Sequence, residues 1–302
     1  MSLDWWEGLL LGLVQGLTEF LPISSSGHLV LAERALGYQP DGVFLEVMVH
    51  VATLLSVVIA YRRRIGTLLR GLLSGGRDAW RYAGLLLVAS VPAGLAGILL
   101  RDFFERTFHS LSVLGWSFLL TAGLLWSTRW AVRRTAGRQR EDGTAARRHD
   151  GRPAADSATQ RDPVPAGRPA ALPSSRPAVV PSVSQALIMG AAQAVSILPA
   201  ISRSGATIAA GLWTGLPAAV AAEFSFLMSI IVIAGSGLLE ARHLMSGAQA
   251  ITPGLTAAFG AALLSGVASI YLLVALLRRG KFHYFAPYCA GLGILCLVWF
   301  AF

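Results

Sequence analysis

Glu19, Ser24, Ser25, Ser26 and His28 fall within ten residues of one another, in the stretch TEFLPISSSGHLVL, between runs that are otherwise apolar. A carboxylate can serve as a base or hold a cation, hydroxyls can bind or attack an electrophile, and an imidazole can move protons. Gln15 precedes Glu19 by four residues, which sets both on one face of a helix that Pro22 closes. A second helix starting near Gly27–His28 would offer free N–H groups beside the serines, an arrangement suited to an anion such as phosphate. The stretch SRSGAT, Ser202 to Thr207, repeats this design with Ser202, Ser204 and Thr207. It adds Arg203, a guanidinium whose fork matches phosphate oxygens.

Each of these residues has a plainer reading by itself. Glu19 and Arg203 could form a structural ion pair, the serines could cap a helix, and His28 could be a satisfied core histidine. His50, with Thr53 in an apolar run, reads as a polar contact between helices, and the remaining histidines sit in loops or at run edges. The plain readings must all hold together to dismiss a site, and the duplication of the pattern argues against that.

The elements that position these residues belong to a membrane. Of 302 residues, 54% are hydrophobic and 14% charged, whereas soluble domains carry about a quarter charged residues; mean hydropathy is +0.60. Apolar runs cover Val43–Ala60, Leu85–Leu100, Leu111–Thr128, Pro217–Leu239, Pro253–Leu277 and Tyr284–Phe302. Each is close to the ~20 residues needed to cross a bilayer core. They are apolar all round rather than on one face, which excludes a soluble helical core. The N-terminus MSLDWWEGLL is acidic where a signal peptide is basic, so no cleaved signal is expected, and Trp5 and Trp6 read as interfacial anchors. Cys289 and Cys296, seven residues apart in the last run, read as packing residues.

Charge sets the orientation. Eleven Arg lie between Arg129 and Arg176, in a segment rich in Pro, Ala and Gly, and residues 133–181 are expected to be a disordered linker. Its lack of interleaved aromatics speaks against nucleic acid. Together with the clusters Arg62–Arg81 and Arg278–Lys281 it holds 20 of the 25 basic residues, which the positive-inside rule assigns to the cytoplasm. Both termini then face outward. Two segments, 3–36 and 183–215, must enter and leave on the same side to preserve that count. Each is broken midway by Pro, Ser and Gly, as a re-entrant helix–loop–helix would be.

The two segments also resemble each other. An offset of 178 maps Gly12, Gln15, Ile23, Ser24, Ser26 and Gly27 onto Gly190, Gln193, Ile201, Ser202, Ser204 and Gly205, and Glu46 echoes Glu223 at 177. The expected fold is an all-α polytopic membrane protein with an inverted-topology repeat. Residues 1–132 and 182–302 form the halves, each a re-entrant hairpin plus three transmembrane helices. Gly8, Gly12 and Gly16 give the first helix a face narrow enough for close packing.

These residues carry a family resemblance. QGLTEFLPISSSGH resembles the first signature of the bacterial undecaprenyl-diphosphate phosphatases of the bacitracin-resistance type, and PAISRSGAT resembles their second. FLEVMVHVATLLSVV and AAEFSFLMSI are similar to the spans that follow each signature. Ala200 stands where the second signature has Gly, the residue that takes positive φ without strain. The type-2 phosphatidic acid phosphatases share Ser-Gly-His and Ser-Arg elements. They also need a Lys-x6-Arg-Pro motif, and the sole Lys here is Lys281.

The resemblance implies hydrolysis of undecaprenyl diphosphate to the monophosphate, recycling of the cell-wall lipid carrier in the bacterial plasma membrane, and bacitracin resistance. It implies a site open to the outer side and a divalent cation, Mg²⁺ or Ca²⁺, held by Glu19 with Gln15. Arg203 and the serine turns (Ser24, Ser26, Gly27, Ser202, Ser204, Thr207) would clamp the phosphoryl group. Ser25 or His28 would attack or activate water, and His28 could protonate the leaving oxygen. The implied partners are a polyprenyl diphosphate and membrane lipids; a homodimer stays open. An inverted repeat is also transporter architecture, so flipping of polyprenyl phosphate lipids is the competing function.

Overall fold

A computed structural model describes residues 3–38, 44–107, 110–149, 179–244 and 251–301. Asp41, which the sequence sets with Asp4 and Glu7 at an acidic entrance to the first hairpin, and linker residues 150–178 lie outside the described residues. The first hairpin is α1 (Trp5–Phe20) and α2 (Ser25–Leu36), followed by α3 (Phe44–Ala60), α4 (Arg62–Leu73), α5 (Arg77–Leu99), α6 (Arg101–Thr107) and α7 (Leu111–His149). The second hairpin is α8 (Val183–Val195) and α9 (Arg203–Trp213), followed by α10 (Ala218–Leu244), α11 (Pro253–Arg278) and α12 (Ala286–Ala301). The described residues contain no strand.

Among the described residues, five helical stretches are long and apolar enough to cross a membrane, and α3 with α4 makes a sixth if that bent pair counts as one. With 16, 12, 13 and 11 residues, α1, α2, α8 and α9 are each too short to cross alone, as helices broken in mid-membrane are.

Two elements differ from expectation. The basic run after α3 is a helix, α4, bent 77° from α3. Its arginines and leucines segregate to opposite faces, the pattern of a helix lying in an interface. Glu223 on α10 fixes it there, accepting a 2.7 Å hydrogen bond from Arg64 Nε while Tyr82 Oη donates to the same oxygen at 3.3 Å. The second difference is α7, which continues to His149 through the first part of the segment expected to be unfolded. Ala, Arg, Gln and Glu dominate there and favour helix, and no proline occurs before Pro153.

Packing is reciprocal between the halves: α1 lies along α11, and α8 along α5. Small residues permit both contacts. A Cβ on Gly12 would strike the Ala258 carbonyl, and one on Gly190 the Ala89 carbonyl. Hydrogen bonds from Ser269 Oγ to the Gly16 carbonyl (2.8 Å) and from Ser56 Oγ to the Leu263 carbonyl (2.9 Å) lock α11 against α1 and α3. With the hairpins seated this way, the turns of both meet in the interior.

Candidate active site

Glu19 lies on the last turn of α1 and is buried. After Phe20 the backbone extends at Leu21, passes Pro22, and turns sharply at Ser24, whose φ of +70° is rare for a residue with a Cβ. Ser24 is the N-cap of α2, its Oγ accepting from the Gly27 N–H at 3.5 Å, so α2 starts at Ser25, two residues before the expected Gly27. The turn aims Ser25 back at α1, where its Oγ donates to Glu19 Oε2 at 2.5 Å. Gln15 Nε2 donates to the same oxygen at 3.0 Å. Across the interior, Arg203 at the start of α9 places Nη2 3.0 Å from Glu19 Oε1. One carboxylate therefore joins the two hairpins, although 184 positions separate Glu19 from Arg203.

The second turn is built like the first. Ser202 caps α9, its Oγ accepting from the Gly205 N–H at 3.1 Å. Ala200 takes φ +63°, so the left-handed conformation persists with alanine in the glycine position. The turns are tied together where the Ala200 N–H donates to Ser26 Oγ (3.3 Å) and Ser204 Oγ donates to the Leu21 carbonyl (3.3 Å). Thr121 on α7 braces the second turn, donating to the Ala200 carbonyl (3.4 Å) and accepting from the Ser202 N–H (3.3 Å).

A cavity of about 180 Å³ opens between the turns. Of the expected residues, Glu19, Ser24, Ser25, Ser26, Ser202 and Arg203 line it. The N-termini of α2 and α9 both start at its wall, which adds two positive helix ends to the guanidinium. The balance favours an anion.

Other expected residues stand behind the wall. Gly27 packs where a Cβ would press on Phe118 and Ala200. Ser204 is taken by Leu21, and Thr207 Oγ1 pairs with Ser225 Oγ at 2.6 Å. His28 is turned away: Nδ1 meets the Ser24 carbonyl at 2.6 Å, Nε2 meets Tyr288 Oη at 2.7 Å, and the ring stacks on Tyr288.

Two side chains passed over in the sequence line the cavity instead. His50 of α3 sits with Nε2 3.8 Å from Glu19 Oε2 while Nδ1 binds the Glu46 carbonyl at 2.7 Å. That bond requires a proton on Nδ1, so a neutral His50 presents a lone pair toward the site. Gln193 of α8 is buried, and neither its Oε1 nor its Nε2 has a hydrogen-bond partner among the described residues. It is the repeat partner of Gln15, the one signal in the sequence that pointed to it. His50 had no such signal, because which way a helical histidine faces is decided by packing.

A cation has been expected here, and the donors present are of the right kind. Among the described residues no three His, Cys, Asp or Glu gather around one point. Glu19 offers a carboxylate, and Gln15 beside it has a buried side-chain oxygen with no partner. Magnesium commonly binds one or two carboxylates and completes its shell with water and substrate phosphate.

The family model described as "Bacitracin resistance protein BacA" matches residues 8–295. The chain is similar to an undecaprenyl-diphosphatase of Desulfosudis oleivorans, 36% identical over 301 residues that cover 95% of each protein. It is 34% identical over 299 residues to one of Carboxydothermus hydrogenoformans, covering 97% of this chain and 96% of the other. One of Bacteroides fragilis is 34% identical over 304 residues, covering 98% of each.

Proposed function

The chain belongs to the bacitracin resistance protein BacA family, and from that premise we propose that the cavity between its two hairpin turns hydrolyses undecaprenyl diphosphate to undecaprenyl phosphate and inorganic phosphate. The protein is a multi-pass membrane phosphatase of that lipid carrier. The observation that carries the assignment of the site is the hydrogen bond from Ser25 Oγ to Glu19 Oε2, 2.5 Å long, with Arg203 on the other carboxylate oxygen.

The reaction proceeds in two displacements. Glu19 takes the proton of Ser25 as its oxygen attacks the terminal phosphorus. The new Ser–O–P bond forms as the bridging P–O bond breaks, and the lipid monophosphate departs as an anion that needs little protonation. Water then attacks phosphoserine as the Ser25 Oγ–P bond breaks; Glu19 returns its proton to Ser25 Oγ, and the protons of the water leave on the inorganic phosphate. Arg203 and the N-terminal N–H groups of α2 and α9 hold the equatorial oxygens, where charge is spread in the transition state. Ser24, Ser26 and Ser202 shape the same cradle, and His50, beside Glu19, assists its proton traffic.

Glu19 with Gln15 would hold a divalent cation, Mg²⁺ or Ca²⁺, which when bound neutralises diphosphate charge. His28, clasped between Ser24 and Tyr288, holds the turn that presents Ser25. The positive-inside count supports a cavity open to the outer face of the plasma membrane, with residues 150–178 in the cytoplasm. A cysteine at Ala155 should then react with an impermeant thiol reagent only after the inner face is exposed.

Detergent-solubilised protein supplied with undecaprenyl diphosphate tests the site assignment. Hydrolysis needs one compartment, whereas flipping needs two. Phosphate should be released by the wild type and not by Arg203→Ala, with both proteins monodisperse by size exclusion. Near-normal release by that variant would remove Arg203 from the reaction.

A further inference from the structure

A second cavity, of about 590 Å³, lies between α7 and the segment joining α11 to α12. Trp126, Arg129, Arg133, His283 and Tyr284 are among the residues lining it, and no Asp or Glu among the described residues lines it. Its composition differs from that of the catalytic cavity, and no step of the hydrolysis uses it. The basic residues are those that the positive-inside rule places at the cytoplasmic surface. Indole and phenol rings beside basic residues are the composition of an interfacial belt, which argues for headgroup depth rather than hydrocarbon.

Arg129 is held in an unusual way. Its guanidinium lies over the rings of Trp126 (4.4 Å to the centroid) and Trp130 (4.6 Å). Its Nε is buried without a hydrogen-bond partner among the described residues. Aromatic rings engage the flat faces of a guanidinium and leave its edge, where the N–H donors lie, unused. A phosphate group is the planar-fork partner that such an edge accepts, with two parallel hydrogen bonds. Arg133 follows one turn later on α7 and forms no ion pair among the described residues, and Lys281 Nζ stands 5.6 Å from the centre of the Tyr284 ring. Trp126 and Tyr284 of its lining are exposed, surfaces that meet acyl chains in a bilayer.

We propose that this cavity binds the headgroup phosphate of an anionic phospholipid of the cytoplasmic leaflet, with Arg129 as the bidentate donor, Arg133 as the second charge and the tails along α7 and α12. Basic pockets between helices on that side are a recurrent mode of anionic lipid recognition. The headgroup, not a soluble anion, is the occupant because the donors are framed by rings at the lipid boundary. The site also adjoins the catalytic turn in the chain: Pro287 lines it, and the next residue, Tyr288, holds His28.

Native mass spectrometry of the full chain, released from micelles containing equal phosphatidylglycerol and phosphatidylcholine, reads the occupancy. The wild type should retain phosphatidylglycerol preferentially. Arg129→Gln with Arg133→Gln should lower that preference about twenty-five-fold, since each cationic side chain near an anionic headgroup is worth about fivefold. The double variant should keep its phosphate release, showing that it is folded; Arg129→Lys, a milder change, serves should it fail to fold. Equal retention of the two lipids by the wild type would overturn the proposal, as would undiminished phosphatidylglycerol on the double variant. Displacement of the lipid by 10 mM inorganic phosphate would also overturn it, by showing a site for free anions.

Discussion

Ser25 Oγ and Glu19 Oε2 stand 2.5 Å apart, joined across a turn whose conformation at Ser24, φ +70°, few residues with a side chain adopt. A hydroxyl bonded to a buried carboxylate has the geometry of a nucleophile beside its base, the roles proposed for Ser25 and Glu19, and six residues of chain suffice to place both. Ser25→Ala removes the attacking atom and leaves the Glu19–Arg203 pair intact. Turnover should fall by about 10³-fold or more with substrate binding nearly unchanged. Acid-quenched wild type should carry phosphate on Ser25. An active Ser25→Ala enzyme would transfer the attack to water.

Glu19→Gln keeps the shape and removes the charge. Arg203 loses its partner, Ser25 loses its proposed base, and the carboxylate proposed to hold a cation is gone. Activity should drop at least a hundredfold, and added Mg²⁺ or Ca²⁺ should recover only a small part of it. Wild-type rates with unchanged dependence on metal would count against both roles.

Much of this centre is visible in the sequence because bilayers punish polarity. Glu19, Arg203 and the serines could not stand in apolar surroundings without partners, and repetition at an offset of 178 showed that two segments share one design. The six long apolar runs and the glycine face of α1 follow from composition in the same direct way. Side-chain direction does not. In the sequence His28 reads as a candidate catalytic residue and His50 as a polar contact between helices, yet Tyr288, 260 residues away, draws the first aside while the packing of α3 turns the second inward. The bend after Ala60 and the helical start of the linker were also missed, because a run of arginines reads as a charge signal before it reads as an amphipathic helix.

Gln193 offers a test of substrate contact. Both ends of the buried Gln193 amide lack a hydrogen-bond partner among the described residues, and its Nε2 can donate to a substrate oxygen. Gln193→Leu should leave the protein as stable as the wild type or slightly more so, since it removes an unsatisfied polar group. It should lower kcat/KM by roughly 10–100-fold, the worth of ~1.5–3 kcal/mol for a hydrogen bond to a charged group. Thermal denaturation in detergent and steady-state kinetics should therefore move in opposite directions. A loss of stability with unchanged kinetics would make the residue structural.

His28 is tested through its partner. Tyr288→Phe deletes the hydroxyl 2.7 Å from Nε2 and leaves the ring stack and the bond to the Ser24 carbonyl. If His28 only holds the turn, one neutral hydrogen bond of ~1 kcal/mol is lost and turnover falls about fivefold. The pH profile should keep its shape. A deficit as deep as that of Ser25→Ala, or a displaced profile, would put the imidazole into proton transfer.

Ala200 carries the second turn in a left-handed conformation, φ +63°, and is fully buried. Its N–H reaches Ser26 of the first turn and its carbonyl accepts from Thr121, so the strained residue couples both hairpins. A Cβ in that conformation costs roughly 1–2 kcal/mol. Restoring glycine relieves this, but a buried methyl worth ~0.8 kcal/mol is lost and the unfolded chain gains ~0.4–1 kcal/mol of entropy. The contributions nearly cancel, so Ala200→Gly should keep its fold and full activity, with stability within about 1 kcal/mol of the wild type. Ala200→Val meets the opposite result. A branched Cβ is a true outlier at positive φ, and the added methyls face Gly27, where a Cβ would already stand 2.9 Å from that of Ala200. The turn should shift, Ser26 should lose its bond, and phosphate release should fall at least tenfold, as losses of ~1.4 kcal/mol or more in transition-state stabilisation produce. An active, stable Ala200→Val protein would show that the two turns do not depend on each other.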